Sequence, residues 1–168
     1  MDYNLSNYKN KTIMRSRTAN WFLCKIRYEK TLEDGLQKRV TEQYVVDALS
    51  FTEAEARIME EMATYISGEF EVWEIDRAVF KEIFFSEDDM ADKWYKSKLQ
   101  FITIDERTEK EKKTSVYYLV QGSSLENARR NIDEVMGGTM IDYVISAVSE
   151  TPVVDVFEYL NKDNEKQK

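Results

Sequence analysis

An internal repeat constrains this chain more than any other feature. Trp21-Phe22-Leu23-Cys24-Lys25-Ile26-Arg27-Tyr28 returns 73 residues later as Trp94-Tyr95-Lys96-Ser97-Lys98-Leu99-Gln100-Phe101. Tyr44, Val46, Ser50, Ala54, Ile58, Glu60 and Met62 meet Tyr118, Val120, Ser124, Ala128, Ile132, Glu134 and Met136 at an offset of 74, a change that one loop residue explains. Phe70, Val72, Ile75, Ile83 and Phe84 then meet Tyr143, Ile145, Val148, Val156 and Phe157, again at 73. A register held this long reads as a duplicated unit, roughly 21–85 and 94–160, joined by the acidic loop Ser86 to Asp92.

The hydrophobic period supplies the elements of each unit. Phe22, Cys24, Ile26 and Tyr28 alternate with Trp21, Leu23, Lys25 and Arg27, the two-residue period of a half-buried strand. Asp34-Gly35 marks a turn, and Val40 to Ala48 alternates again, so the pair predicts an antiparallel hairpin. Ser50-Phe51-Thr52-Glu53 has the spacing of a capping box, and Phe51, Ala54, Ile58, Met62 and Tyr65 then fall on one helical stripe that Gly68 ends. A long strand from Phe70 toward Phe85 closes the unit, with a bend where alternation slips near Arg77. In the second unit, Ser123 and Glu126 are expected to form the box, Leu125, Ala128, Ile132 and Met136 the stripe, and Pro152 a bulge or edge position. The expected fold is α+β: duplicated β-β-α-β units forming an antiparallel sheet with the helices on one face.

The ends differ from the middle. Residues 1–18 are polar and follow neither period, which predicts a flexible N-terminal arm, with Met1 and Met14 both possible starts; residues 161–168 are expected to fray. Five Gly and one Pro in 168 residues leave no obvious linker, so 19–160 reads as a single domain of two repeats. At 42% hydrophobic content the chain can bury a core. With no His and one Cys, a Cys/His zinc site, a His-assisted nucleophile and an internal disulfide are all excluded. No apolar run approaches the roughly 18 residues a membrane-spanning helix needs, and the lone thiol fits a reducing compartment, so a cytoplasmic protein is expected.

The runs Asn20-Trp21-Phe22-Leu23-Cys24-Lys25-Ile26-Arg27-Tyr28-Glu29-Lys30, Val40-Thr41-Glu42 and Tyr44 through Ile58 resemble a domain-of-unknown-function family of gut bacteria and their phages, over about residues 19–160. The resemblance implies an intracellular origin, with a phage or mobile-element context, and carries no activity. Members of that family begin close to the Trp, so residues 1–18 depart from its pattern.

If Phe22, Cys24, Ile26 and Tyr28 face the helices, then Trp21, Lys25 and Arg27 face away, as do Trp94, Lys96 and Lys98 in the second unit. The second strands add Arg39, and Lys113 with Tyr117. A face of aromatics and cations suits single-stranded DNA or RNA, because bases stack on aromatic rings while Lys and Arg neutralise phosphates. Such a face is equally suited to a homodimer, and outward cations on strands also serve as edge protection. Charge is uneven: residues 1–30 carry a net +5 and residues 47–92 a net −11, within a total of −8. The acidic run Glu87 to Asp92 lacks the Gly turn and final Glu of a calcium loop and reads as a solvated linker. Gly137-Gly138 lacks the companions of a phosphate loop and reads as a helix stop, while Cys24 reads as a small core residue. The expectation is therefore a non-enzymatic binding protein without metal or cofactor, taking single-stranded nucleic acid through Trp21, Lys25, Arg27, Arg39, Trp94, Lys96, Lys98, Lys113 and Tyr117. The alternative is a small-ligand or protein interaction module, for example a phage counter-defence factor that sequesters a nucleotide signal or a host protein.

Overall fold

The structure, a computed structural model, describes residues 13–159. Its strands are β1 (Met14–Thr18), β2 (Trp21–Thr31), β3 (Gln37–Asp47), β4 (Phe70–Arg77), β5 (Glu82–Ser86), β6 (Lys93–Ile104), β7 (Glu111–Gly122), β8 (Tyr143–Glu150) and β9 (Val153–Phe157). Helix α1 (Phe51–Tyr65) follows β3 and α2 (Leu125–Met136) follows β7. The fold is α+β, with two mixed sheets. One has the order β1-β5-β7-β6-β8 and the other β4-β2-β3-β9.

Both predicted hairpins form. Trp21 lies opposite Asp47 and Thr31 opposite Gln37 in one, and Gly35 turns between them at φ +83°, a value that suits a residue without Cβ. In the other, Lys93 pairs with Gly122 and Ile104 with Glu111. The bend expected near Arg77 is a break: β4 ends there, and β5 joins a different sheet. The last strand of the second half breaks likewise at Thr151-Pro152, and β9 returns to the sheet of β2 and β3. Each sheet therefore holds one parallel pair, β5 with β7 and β3 with β9, where a purely antiparallel sheet was expected.

This exchange sets the compact units. One contains Lys81–Glu150 with the described residues up to Arg17, and is called here the Trp94 unit; the other contains Thr18–Phe80 and the residues from Thr151, the Trp21 unit. Their bounds differ from the expected repeats because β5 and β9 each pair outside the half of the sequence that carries them. Within residues 1–18, Met14–Thr18 forms edge strand β1 beside β5, where an arm was expected. Met14 packs on the core and the Arg15 guanidinium lies 4.0 Å from the Phe85 ring centre. An edge strand with one neighbour buries little, so its composition stays polar and hides it. The rest of the arm and the tail 161–168 lie outside the described residues.

In the Trp21 unit, Phe22, Cys24, Ile26, Tyr44 and Val46 bury against Ala54, Ile58 and Met62 of α1, with Phe22, Ile26, Val46, Ile58 and Met62 each contributing about 1.5–3 kcal/mol. Burial pushes the Cys24 thiol up to about 12, so it stays a protonated packing residue. In the Trp94 unit, Tyr95, Leu99, Tyr118 and Val120 pack with Phe84 of β5 against Ala128, Ile132 and Met136 of α2. Ser50 caps α1 by accepting from Glu53 N at 3.1 Å. The cap of α2 is Ser124, one residue beyond the expected Ser123: it accepts from Asn127 N at 3.0 Å, and Asn127 Oδ1 accepts in turn from Ser123 N at 2.9 Å. Asn127 thus fills the reciprocal role expected of Glu126.

Ser97 occupies in β6 the place of Cys24 in β2. It is fully buried and its hydroxyl has no hydrogen-bond partner. A buried hydroxyl left unpaired costs about 1–3 kcal/mol. Ser97→Cys should therefore raise unfolding free energy by about 1 kcal/mol, read as a higher urea midpoint at unchanged slope.

Candidate functional site

The face of each sheet turned away from its helix carries the cations, and register decides what they meet. In the Trp21 unit, Lys25 of β2 lies opposite Glu74 of β4, and Arg27 lies opposite Glu71. Lys25 Nζ reaches Glu74 Oε2 at 2.8 Å, and that pairing raises the Lys25 pKa and lowers that of Glu74. Arg39 of β3 meets Glu71 at 3.6 Å. The Arg27 guanidinium sits 3.4 Å from the ring centre of Trp73, whose face is half-exposed. A cleft of about 550 Å³ at the far end of these strands is lined by Arg27, Tyr28, Gln37, Arg39, Phe70 and Glu71, among others. Its charges largely cancel.

The Trp94 unit differs at the matching places. Lys98 of β6 lies between Tyr117 of β7 and Ala147 of β8, and Lys96 lies between Leu119 and Ser149. Lys96 Nζ stands 4.9 Å from the Tyr117 ring centre. Lys113 extends the same face from β7, opposite Ile102. Where β4 offers Glu71, Glu74 and Asp76, β8 offers Val144, Ala147 and Ser149, so among the described residues Lys96, Lys98 and Lys113 have no ion-pair partner. Gln100 and Ser115, a facing pair, add neutral hydrogen-bonding groups between them.

Both Trp residues expected to stack bases are inside the protein. Trp21 is 2% exposed and Trp94 3%, the latter edge-on to Phe85 at 5.6 Å between ring centres. Alternation correctly placed them away from the helices, but that side is not thereby exposed: Val45 in the Trp21 unit, and Leu119 and Ile83 in the Trp94 unit, are fully buried as well. Of the nine expected residues, then, Trp21 and Trp94 are core, Lys25 and Arg39 are ion-paired, and Arg27 is held on Trp73. Lys96, Lys98, Lys113 and Tyr117 remain together on an accessible face. Sequence reasoning passed over Trp73 and the three acids of β4. Their signal was present, because aligning the halves at 73 sets Glu71, Glu74 and Asp76 against Val144, Ala147 and Ser149.

The other candidate sites are occupied by structure. Gln121 pins the acidic loop, its Oε1 accepting from Ser86 N and its Nε2 donating to Ala91 O, both at 2.9 Å. Asp88 accepts from Met90 N within that loop, and among the described residues no three Cys, Asp or Glu side chains are grouped as metal ligands. Gly137 ends α2, as its sequence position predicted.

Several phenols beside carboxylates set the pH response. Tyr28 donates to Glu42, and burial followed by that contact pushes its pKa up to about 12; Tyr118 and Tyr143 are raised to about 12, first by burial and then by Glu82 and Asp133 respectively. Tyr44 and Tyr159 are raised too, burial again leading. A raised folded pKa favours the neutral phenol in the native state. That stability is intact below about pH 10, the unfolded value, and is lost as pH climbs through about 12. Melting temperature should fall steeply over this window, with the phenolate absorbance of these five tyrosines developing together with unfolding. Ionisation of Tyr28, Tyr44, Tyr118, Tyr143 or Tyr159 before any loss of helix would contradict these contacts.

Architecturally this is an α+β protein of two helix-covered mixed sheets, and among the described residues no helix is long and apolar enough to cross a membrane. A family described as a domain of unknown function, DUF4494, matches residues 20–159, and the chain belongs to that family. No curated protein and no solved structure matches it.

Proposed function

We propose that the chain is a non-enzymatic binding protein that takes a single-stranded nucleic acid on the open face of the Trp94 unit. Lys96, Lys98 and Lys113 would neutralise phosphates, and Tyr117 would offer its ring to a base. The reading treats the two halves as copies of one unit and rests on their divergence. The cations of one sheet face are neutralised by an acidic neighbouring strand, while Lys96, Lys98 and Lys113 on the other have no ion-pair partner among the described residues. A surface kept only for solubility has no need of that asymmetry in a chain of net charge −8. The absence of His and the protonated state of Cys24 favour binding over catalysis.

Fluorescence anisotropy with labelled oligo-dT and oligo-U, over a salt series, tests this. Each of Lys96→Ala, Lys98→Ala and Lys113→Ala should lower the slope of log affinity against log salt by about 0.7, the release expected per single-strand phosphate. Tyr117→Ala should cost about 1–3 kcal/mol with little change in slope. Lys25→Ala, which removes an already paired cation, should leave both unchanged. No binding at low salt, or equal losses from Lys25→Ala and Lys98→Ala, would remove the proposal.

A further inference from the structure

The four sheet edges are not protected alike. Edge strands expose unpaired N–H and C=O groups, and proteins blunt them with charge, proline or brevity. Strand β1 carries Arg15 and Arg17 in five residues; β9 is five residues long, follows Pro152 and carries Asp155. Strand β4 carries Glu71, Glu74, Asp76 and Arg77. Strand β8 is the exception. It runs eight residues, Tyr-Val-Ile-Ser-Ala-Val-Ser-Glu, with its only charge at the final Glu150, and Val144, Ser146 and Ala147 are exposed. Among the described residues no strand lies beyond it. Both β4 and β8 contain one bulge where they pair inward, so the bulge does not distinguish them; charge does.

We infer that β8 is the interface for a second copy of this chain, the two strands pairing antiparallel edge to edge about a two-fold axis. The occupant follows from self-complementarity. An antiparallel pairing of β8 with itself brings no charged side chain into the junction between Tyr143 and Ser149, whereas the same pairing of β4 would bring Glu71, Glu74 and Asp76 into it from each copy. The half-buried Ile145 and Val148 of each copy would extend the apolar layer beneath α2 across the junction. The two five-stranded sheets would become one of ten strands.

Sedimentation equilibrium without nucleic acid tests this independently of the ligand reading. The intact chain should give twice its 19.9 kDa mass at tens of micromolar and dissociate on dilution. The double variant Val144→Glu, Ala147→Glu carries to β8 the residues that β4 holds at matching places, so a folded strand accepts them; it should sediment as a single chain with an unchanged circular dichroism spectrum. Hydrogen exchange on the unmodified protein needs no variant: amides of 143–149 should exchange faster on dilution while those of 70–77 do not change. A single-chain mass at every concentration would overturn the inference and leave this edge to a strand from another protein. A dimer that survives the double substitution would overturn it as well.

Discussion

Replacing Trp94 with alanine is expected to lower the unfolding free energy by about 3–5 kcal/mol, and Trp21→Ala by a similar amount. Both rings are almost wholly removed from water, and Trp94 also has an edge contact with Phe85. A domain of this size has a total stability of about 5–15 kcal/mol, so the double variant should be largely unfolded without denaturant. Trp73 provides the control. It is half-exposed and its ring supports the Arg27 guanidinium, so Trp73→Ala should cost no more than about 1 kcal/mol. Urea titrations followed by far-ultraviolet circular dichroism separate the cases. Equal, small effects at all three positions would mean that Trp21 and Trp94 are accessible after all.

Arg57→Met is the second large effect, at about 3–5 kcal/mol. Arg57 leans from α1 over the end of β3, donating to Asp47 O at 2.6 Å and standing 3.7 Å from the Asp47 carboxylate, which is fully buried. Asp47 also accepts from Tyr159 N at 2.7 Å, and Arg57 pairs with Glu53 one turn back. Removing the guanidinium strands a buried carboxylate, a loss far larger than the net value of the pair. The Trp94 unit shows the neutral solution at the same places. Asn131 donates to Gln121 O at 2.9 Å and to Asn127 Oδ1 at 3.2 Å, with Gln121, Asn127 and Asn131 standing where the other unit has Asp47, Glu53 and Arg57. The triple substitution Asp47→Gln, Glu53→Asn, Arg57→Asn should therefore recover most of what Arg57→Met loses. Thermal melts of the three proteins check this, and a triple variant as unstable as the single one would show that the charged network has no amide equivalent here.

Much of the fold was legible because period and capping are local. The alternation at Phe22, Cys24 and Ile26 and the stripe Ala54, Ile58, Met62 each name a face from a few residues. What stayed hidden was non-local. A run such as Glu82–Ser86 announces a strand, but nothing in its period says that its neighbour is Tyr118 to Val120 and not β4. Trp21 failed for a related reason: alternation says which side a ring takes, not whether that side is covered. At the candidate site the cations were legible and their neutralisation was not, since Lys25 finds Glu74 only once register is fixed.

The crossing of β5 and β9 has a consequence for synthesis. The Trp21 unit draws its last strand from beyond Pro152, and one of its backbone contacts, Tyr159 N to Asp47, spans 112 residues. On the ribosome, then, β2, β3 and α1 emerge long before the strand that closes their sheet, while β5 waits for β6 and β7 to be made. Closing such separations is entropically slow: the Trp94 unit reaches its full stability only once β8 is free, and the Trp21 unit only once β9 is. A stop codon before Val153 would thus damage a sheet whose other strands were translated long before, and a fragment cut at Asp92 would carry β5 without the sheet it belongs to.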